Sequence, residues 1–170
     1  MPKWLPHILL SAYFGFFLLL LATLAWFWPA SPRAASQPIA FPHTVHAGQL
    51  GLSCSFCHES AELGPQAGVP AVSKCLSCHQ AIATDRPEIQ KLLGYQQRGE
   101  PIRWQRIYHL PDFIYFSHKR HVNSGLDCSA CHGAVEEMQT VKRVRSLQMG
   151  WCLSCHRSRG ASFDCATCHK

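Results

Sequence analysis

The sequence predicts a mostly α-helical chain with extensive coil, made of one transmembrane helix and one small domain without an aliphatic core. Residues 4–32 contain no Asp, Glu, Lys or Arg. The remainder is poor in aliphatic runs, yet it holds all ten cysteines, and these belong to one repeated pattern. A length of 170 residues fits one ordinary domain plus an anchor. The composition excludes a disordered chain, a collagen-like repeat and a protein embedded entirely in the membrane.

The N-terminal apolar segment has the length of a membrane span. As a helix, residues 8–28 rise roughly 31 Å, which matches a hydrocarbon core of about 30 Å. Three tryptophans lie near the two ends of this segment, as interfacial aromatic residues do. The alternative is a cleaved signal peptide, whose apolar region usually spans about 7–15 residues before a small-residue cleavage site. We predict an uncleaved signal anchor over residues 1–30 and a second domain over residues 31–170.

All ten cysteines belong to five copies of the pattern Cys-x-x-Cys-His, at residues 54–58, 75–79, 128–132, 152–156 and 165–169. Two thiols three positions apart can each form a thioether with one vinyl group of the same haem, and the following His then lies under the iron. A disulfide framework does not need a His after every second cysteine, and structural zinc would leave most of these histidines without a role. The sequence therefore predicts five covalently attached haem c groups.

The pattern assigns a role to each of its residues. The predicted thioether positions are Cys54, Cys57, Cys75, Cys78, Cys128, Cys131, Cys152, Cys155, Cys165 and Cys168. The predicted proximal iron ligands are His58, His79, His132, His156 and His169. Five porphyrins on so short a domain must stack on one another and form most of its core.

The net charge of the chain is +6, but five haems would add about −10 through their propionates. We therefore expect the basic residues to pair with propionates and do not predict a nucleic-acid partner.

The domain contains an internal repeat. The segments FPHTVH at 41–46 and FSHKRH at 116–121 each lead through Gly-Leu to a haem motif, and each unit ends with a CLSCH motif. Two related di-haem units are thus predicted over about residues 41–79 and 116–156, with the fifth haem at 165–169 appended. Short helices are expected at the motifs. Turns are expected at Pro65, Pro70, Pro101 and Pro111.

The pattern Phe-x-His-x-x-His just upstream of Cys-x-x-Cys-His resembles the start of the class III, cytochrome c3/c7-like, multihaem cytochromes. In that family the first His ligates the haem that follows, and the second ligates a neighbouring haem. The resemblance implies that His43 and His118 ligate the first and third haems. It implies equally that His46 and His121 ligate other haems of the stack.

Four distal histidines leave one haem without a sixth ligand. Met138 lies 14 residues before Cys152, so a helix between them would place its sulfur over the opposite face of that haem. We prefer Met138 for this role. His109 would instead complete five bis-histidine haems, and Met149 is a third candidate although its closeness to Cys152 causes crowding. The choice matters because a His/Met haem has a higher potential than a bis-His haem.

A more specific resemblance lies in the segments WQRIYHLPDFIYFSHKRHVNSGLDCSACHGAVEEM and QMGWCLSCHR. With five haem motifs and one N-terminal helix, the chain resembles the membrane-anchored pentahaem subunit of bacterial alternative complex III. Members of that family oxidise menaquinol and pass electrons to periplasmic carriers or to an oxygen reductase. The resemblance implies partners: an iron–sulfur subunit related to molybdopterin oxidoreductases, polytopic quinol-binding subunits, and a mono-haem cytochrome c or terminal oxidase.

The predicted role is therefore electron transfer within a complex, since no cysteine remains for an iron–sulfur cluster and one helix forms no polytopic quinol pocket. We do not expect the chain to be catalytic alone. Haem attachment implies that the domain lies on the periplasmic side of the cytoplasmic membrane. One alternative is a stand-alone quinol dehydrogenase of the NapC/NrfH kind. Another is a multihaem reductase of nitrite, hydroxylamine or a sulfur oxyanion, which requires an iron with an open coordination position.

Overall fold

The computed structural model describes residues 2–27 and 36–169. The chain divides into two compact units, Met1–Arg33 and Ala34–Lys170. Trp28, at the end of the predicted span, and the predicted domain boundary after residue 30 lie outside the described residues.

The N-terminal unit contains one helix, α1, at Leu5–Phe27. Its 23 residues include a window with a mean hydropathy of 2.3, and none of them is buried. A helix of this length rises about 34 Å, enough to cross a bilayer core. In the part of the chain that the structure describes, α1 alone has the length and composition of a membrane span. A signal sequence shares both properties.

The larger, C-terminal unit consists of short helices joined by coil. These helices are α2 Cys54–Cys57, α3 Val72–His79, α4 Pro87–Arg98, α5 His118–Val122, α6 Ser129–His132, α7 Met149–Ser158 and α8 Cys165–Cys168. A π-helical turn spans Thr44–Gln49, and a 3₁₀ turn spans Val135–Glu137. Within residues 36–169 the structure has no strand, only an isolated bridge between Ile114 and His169. The predicted fold class, mostly helical with extensive coil, is confirmed.

Helix α4 joins the two repeated units and packs against α3. It begins with Pro87, whose missing N–H is not needed at the first helical position, and it ends at Gly99, which adopts φ 65°. Leu92 of α4, Leu76 of α3 and Ile39 form one buried cluster. This cluster anchors the linker between the repeats to the second haem motif.

These three residues are the buried hydrophobic side chains in the described part of the chain. A domain of this size normally buries most of its large aliphatic and aromatic residues. Polypeptide packing therefore stabilises the region around α3 and α4. Elsewhere short helices and coil surround the Cys-x-x-Cys-His motifs. Because few apolar side chains are buried there, other interactions must stabilise this part of the domain.

One glycine makes a close contact that yields a stability prediction. A Cβ added to Gly48 in the π-helical turn would lie 2.7 Å from the carbonyl oxygen of Glu136 in the 3₁₀ turn. We expect Gly48→Ala to lower the free energy of unfolding by about 1–3 kcal/mol, because the two backbones must separate. Denaturant unfolding of the holoprotein measures this change.

The matched control is Gly150→Ala in α7, where an added Cβ would meet no heavy atom within 4 Å. Alanine is the better helix former, so this variant should lose no stability. Equal unfolding midpoints for the two variants would show that the contact between the turns is unimportant.

Candidate haem-binding sites

Histidine rings from different elements face each other in pairs. Three pairs have ring centroids 6.0–6.3 Å apart: His46 with His79, His118 with His132, and His121 with His156. An imidazole nitrogen ligates a transition metal at about 2.0 Å, and the ring centroid lies about 1.1 Å behind it, so two imidazoles on opposite sides of one iron have centroids about 6 Å apart. All three spacings therefore fit a single iron between two imidazoles.

His43 and His58 form a fourth neighbouring pair. Burial lowers the pKa of the half-buried His43, and the nearby His58 and His46 lower it further. His43 Nδ1 is buried and has no hydrogen-bond partner among the described residues, which is costly for an imidazole in contact with protein alone. Burial, followed by His118 and His58, also lowers the pKa of His132. Both rings are thus neutral near pH 7, and neutral imidazole is the form that ligates a metal.

Six of these histidines are oriented through Nδ1. Each has Nδ1 within 2.5–3.1 Å of a backbone carbonyl oxygen: His46 of Pro42, His58 of Gly68, His79 of Ile82, His118 of Pro65, His121 of Ser117, and His156 of Ser162. An Nδ1–H that donates to a carbonyl leaves the Nε2 lone pair available and holds the ring in place, as is usual for metal-binding histidines. The donor set therefore fits axial ligation of haem.

A phenylalanine orients both distal histidines in each repeated unit. Phe41 stacks on His46 at 4.2 Å and meets His43 edge-on at 4.9 Å. In the second unit, Phe116 stacks on His121 at 4.4 Å and meets His118 edge-on at 4.9 Å. These phenylalanines had no predicted role, although both occupy the first position of the repeated Phe-x-His-x-x-His pattern.

The ten cysteines all lie within the described residues and form no disulfide. Thiols of neighbouring motifs also influence one another. Burial raises the pKa of the thiols of Cys75, Cys128, Cys131 and Cys152. In each case a nearby thiol of another motif raises this pKa further; these neighbours are, in the same order, Cys57, Cys54, Cys155 and Cys168. In the described residues no three His, Cys, Asp or Glu side chains form a metal-holding cluster. Porphyrin iron needs only two protein ligands.

The fifth motif lies beside the aromatic segment that precedes the second unit. Phe113 stacks on His169 with a centroid distance of 5.8 Å, and the N–H of Tyr115 donates to the carbonyl oxygen of Cys168 at 2.8 Å. Asp164 caps α8, since its Oδ1 accepts a hydrogen bond from the N–H of Ala166. Residues 113–115 thus support the C-terminal motif.

Met138, the preferred fifth distal ligand, follows the 3₁₀ turn. Its methyl carbon lies 3.7 Å from the position that a Cβ on Gly133 would occupy, so Met138 borders the third motif. The helix expected between Met138 and Cys152 is absent, and residues 139–148 are coil up to the start of α7. The β-branched residues of this segment disfavour a helix. Ligation by Met138 stays a prediction.

The two other candidates for this ligand differ in their surroundings. His109 is exposed, and its Nε2 lies 3.0 Å from the carbonyl oxygen of Arg106. In the paired histidines Nε2 is available to ligate iron, whereas in His109 this nitrogen is in a hydrogen bond. Met149 begins α7 and is 59% exposed.

Comparison with known families identifies the class of protein. Residues 28–97 match the class III cytochrome C family, and residues 114–170 match the family of cytochrome c7 and related cytochrome c. These two segments are therefore similar to multihaem c-type cytochromes of the class III and c7 types, families whose members bind haem c covalently. The chain is similar to the multihaem cytochrome c subunit of a menaquinone reductase from Nitratidesulfovibrio vulgaris (strain Hildenborough), with 28% identity over 186 positions that cover 91% of this chain and 89% of that protein.

Proposed function

We propose that this chain is the membrane-anchored electron-transfer subunit of a respiratory complex that exchanges electrons with the quinone pool, and that it carries five haem c groups. The observation that carries the proposal is the spacing of 6.0–6.3 Å in three histidine pairs, each containing the His of a Cys-x-x-Cys-His motif. The haem supplies one-electron oxidation and reduction of its iron. The polypeptide supplies attachment, axial ligands and electrostatic surroundings.

Four motifs receive two imidazoles each in this proposal. The proposed pairs are His58 with His43, His79 with His46, His132 with His118, and His156 with His121. Two imidazoles leave no open position at an iron, which favours electron transfer over reduction of nitrite, hydroxylamine or a sulfur oxyanion. For the fifth motif, His169 is the proposed proximal ligand. Met138, which the sequence predicted over the haem of Cys152, borders the third motif instead, and its ligation stays a prediction.

The residues around the histidines determine how firmly each ligand is held. The carbonyl groups that accept from Nδ1 increase the basicity of Nε2, and outer contacts of this kind tune both metal affinity and reduction potential. Phe41 and Phe116 restrict rotation of the distal rings through stacking. Rigid ligands keep the coordination unchanged between the two oxidation states, which suits a protein that only carries electrons.

The proposed complex is of the alternative complex III kind and oxidises menaquinol. Its other subunits are an iron–sulfur protein related to molybdopterin oxidoreductases, polytopic quinol-binding proteins, and a mono-haem cytochrome c or terminal oxidase as acceptor. Helix α1 is the proposed anchor, with the haem domain on the periplasmic face of the cytoplasmic membrane. The name of the Nitratidesulfovibrio relative favours a second candidate, in which electrons move in the opposite direction, to menaquinone.

Purification of the full chain from its native membranes in mild detergent tests this function. We expect the iron–sulfur and polytopic subunits to co-purify. In that complex a menaquinol analogue should reduce the haems, whereas the second candidate predicts that a menaquinone analogue reoxidises pre-reduced haems. A chain that is isolated alone and oxidises the menaquinol analogue by itself would contradict the proposal and favour a stand-alone quinol dehydrogenase.

A further inference from the structure

The two di-haem units can be aligned residue by residue. His118 follows its equivalent His43 by 75 positions, and Cys128 follows Cys54 by 74, because the first unit contains one extra residue between them. With this alignment, the distal histidines, the haem motifs and the residues directly after the first motif of one unit have defined counterparts in the other. A comparison of contacts between the units then shows whether their packing is symmetric.

Three backbone hydrogen bonds join the units: one from the N–H of His118 to the carbonyl oxygen of Pro65 at 3.1 Å, and two that are equivalent to each other. The N–H of Thr44 donates to the carbonyl oxygen of Met138 at 3.3 Å, and the N–H of Lys119 donates to that of Gly64 at 3.0 Å. Thr44 and Lys119 each follow the first histidine of their unit. Met138 and Gly64 each lie six residues after the His of the first haem motif in their unit. The donors and the acceptors are thus exchanged between the units.

A second pair of contacts shows the same exchange. A Cβ on Gly48 would lie 2.7 Å from the carbonyl oxygen of Glu136, and Nδ2 of Asn123 donates to the carbonyl oxygen of Glu62 at 3.5 Å. Gly48 and Asn123 are equivalent, and so are Glu136 and Glu62. An interface in which residue i contacts j and the equivalent of j contacts the equivalent of i is isologous, the property of twofold symmetry.

One histidine pair inside each di-haem unit has the same spacing in both units. The ring centroids of His46 and His79 lie 6.0 Å apart in the first unit, and those of His121 and His156 lie 6.0 Å apart in the second. At the interface, the equivalent thiols of Cys54 and Cys128 are neighbours. A residue that contacts its own equivalent lies near the symmetry axis, so the axis passes beside the first and third haem motifs.

We infer that the two di-haem units pack about a pseudo-twofold axis within one chain, which places the five attachment motifs in the spatial order second, first, third, fourth, fifth. The first and third motifs lie at the axis. The second and fourth lie outside them, each tied to its inner neighbour by one turn that carries both distal histidines. The inference rests on the proposed function, since the motifs must carry haem for their order to matter.

The fifth motif extends this row at one end only. Ser162 accepts from His156 Nδ1 through its carbonyl oxygen, and its hydroxyl lies 2.9 Å from that of Thr167 in α8. At the other end, α4 packs over the second motif through Leu92 and Leu76. The second and fifth motifs are therefore the terminal positions of the row, where electrons are exchanged with partner subunits, while the first and third are internal.

Nuclear Overhauser effects between haem protons test this order in the full-length holoprotein. Complete reduction makes the low-spin irons diamagnetic, and the variants His43→Met and His118→Met identify the signals of the first and third haems. We expect effects between the first and second, first and third, third and fourth, and fourth and fifth haems. Effects between the second and third haems, with none between the first and third, would overturn the order.

A variant adds a second readout. Gly48→Ala should weaken the effect between the first and third haems and leave that between the first and second, whereas Gly150→Ala should change neither. An unchanged spectrum for Gly48→Ala would contradict packing through these turns. A holoprotein with fewer than five haems would instead contradict the proposed function, so the two failures are distinguishable.

Discussion

Replacing His46 with alanine is expected to convert the second haem from low-spin to high-spin iron, because the ring 6.0 Å from His79 is removed and one coordination position opens. Electron paramagnetic resonance of the oxidised full chain should then show a high-spin ferric signal that disappears when cyanide is added. His121→Ala should have the same effect on the fourth haem, since His121 occupies the equivalent position. His46→Met should instead keep a six-coordinate iron and raise its reduction potential.

His109→Ala is the matched control for these variants. His109 is exposed, and its Nε2 lies near a carbonyl oxygen of the preceding segment rather than near a motif histidine. We expect the electron paramagnetic resonance spectrum of His109→Ala to match that of the unsubstituted protein. A high-spin signal in His109→Ala, or its absence in His46→Ala, would contradict the proposed distal ligands.

Replacing both Cys165 and Cys168 with alanine is expected to remove the fifth haem completely. The mature protein should lose the mass of one haem under denaturing conditions, because both thioether bonds are absent. The other four haems should keep their low-spin spectra, since the fifth motif lies outside the two repeated units. If Cys168 and His169 lie at the end of the row of haem motifs, the complex should still assemble, but electron transfer through the fifth motif should stop.

Cys165→Ala alone provides the control, because one thioether to Cys168 still holds the haem. This variant should retain the mass of five haems. Loss of several haems from the double variant would show that the fifth motif is integral to the repeated units, contrary to its proposed position.

Much of the fold followed from local patterns. The short helices at the haem motifs were predicted because Cys-x-x-Cys-His requires its two thiols and its imidazole on one compact turn. The apolar helix α1 was predicted because an uncharged run of that length is rare outside membranes and signal sequences. The division into two repeated units was visible because Phe41, His43 and His46 recur with the same spacing as Phe116, His118 and His121.

Other features depend on contacts that no local pattern records. Helix α4 was not predicted, although Pro87 and Gly99 are typical start and stop residues. Residues 139–148 are coil where a helix was expected, and the β-branched residues of this segment have a lower helix propensity. The exchanged contacts of Thr44 and Lys119 involve backbone groups, which carry no sequence signal.

The haem ligands likewise divide into those that a local pattern predicts and those that depend on long-range contacts. The residues of the five motifs are implied by covalent chemistry alone. The resemblance implied haems for His43 and His118, but the motifs that face His46 and His121 emerged only from distances between separate segments, such as that between His46 and His79. The fifth distal ligand depends on long-range packing of coil, so the preference for Met138 over His109 and Met149 stays a prediction.

The most direct measurement is the mass of the mature full-length polypeptide under denaturing conditions, combined with a peroxidase stain for haem. Five covalently attached haems are expected, because the proposed thioethers to all ten cysteines would survive denaturation. A polypeptide that carries fewer haems, or that loses them on denaturation, would contradict a five-haem electron-transfer subunit.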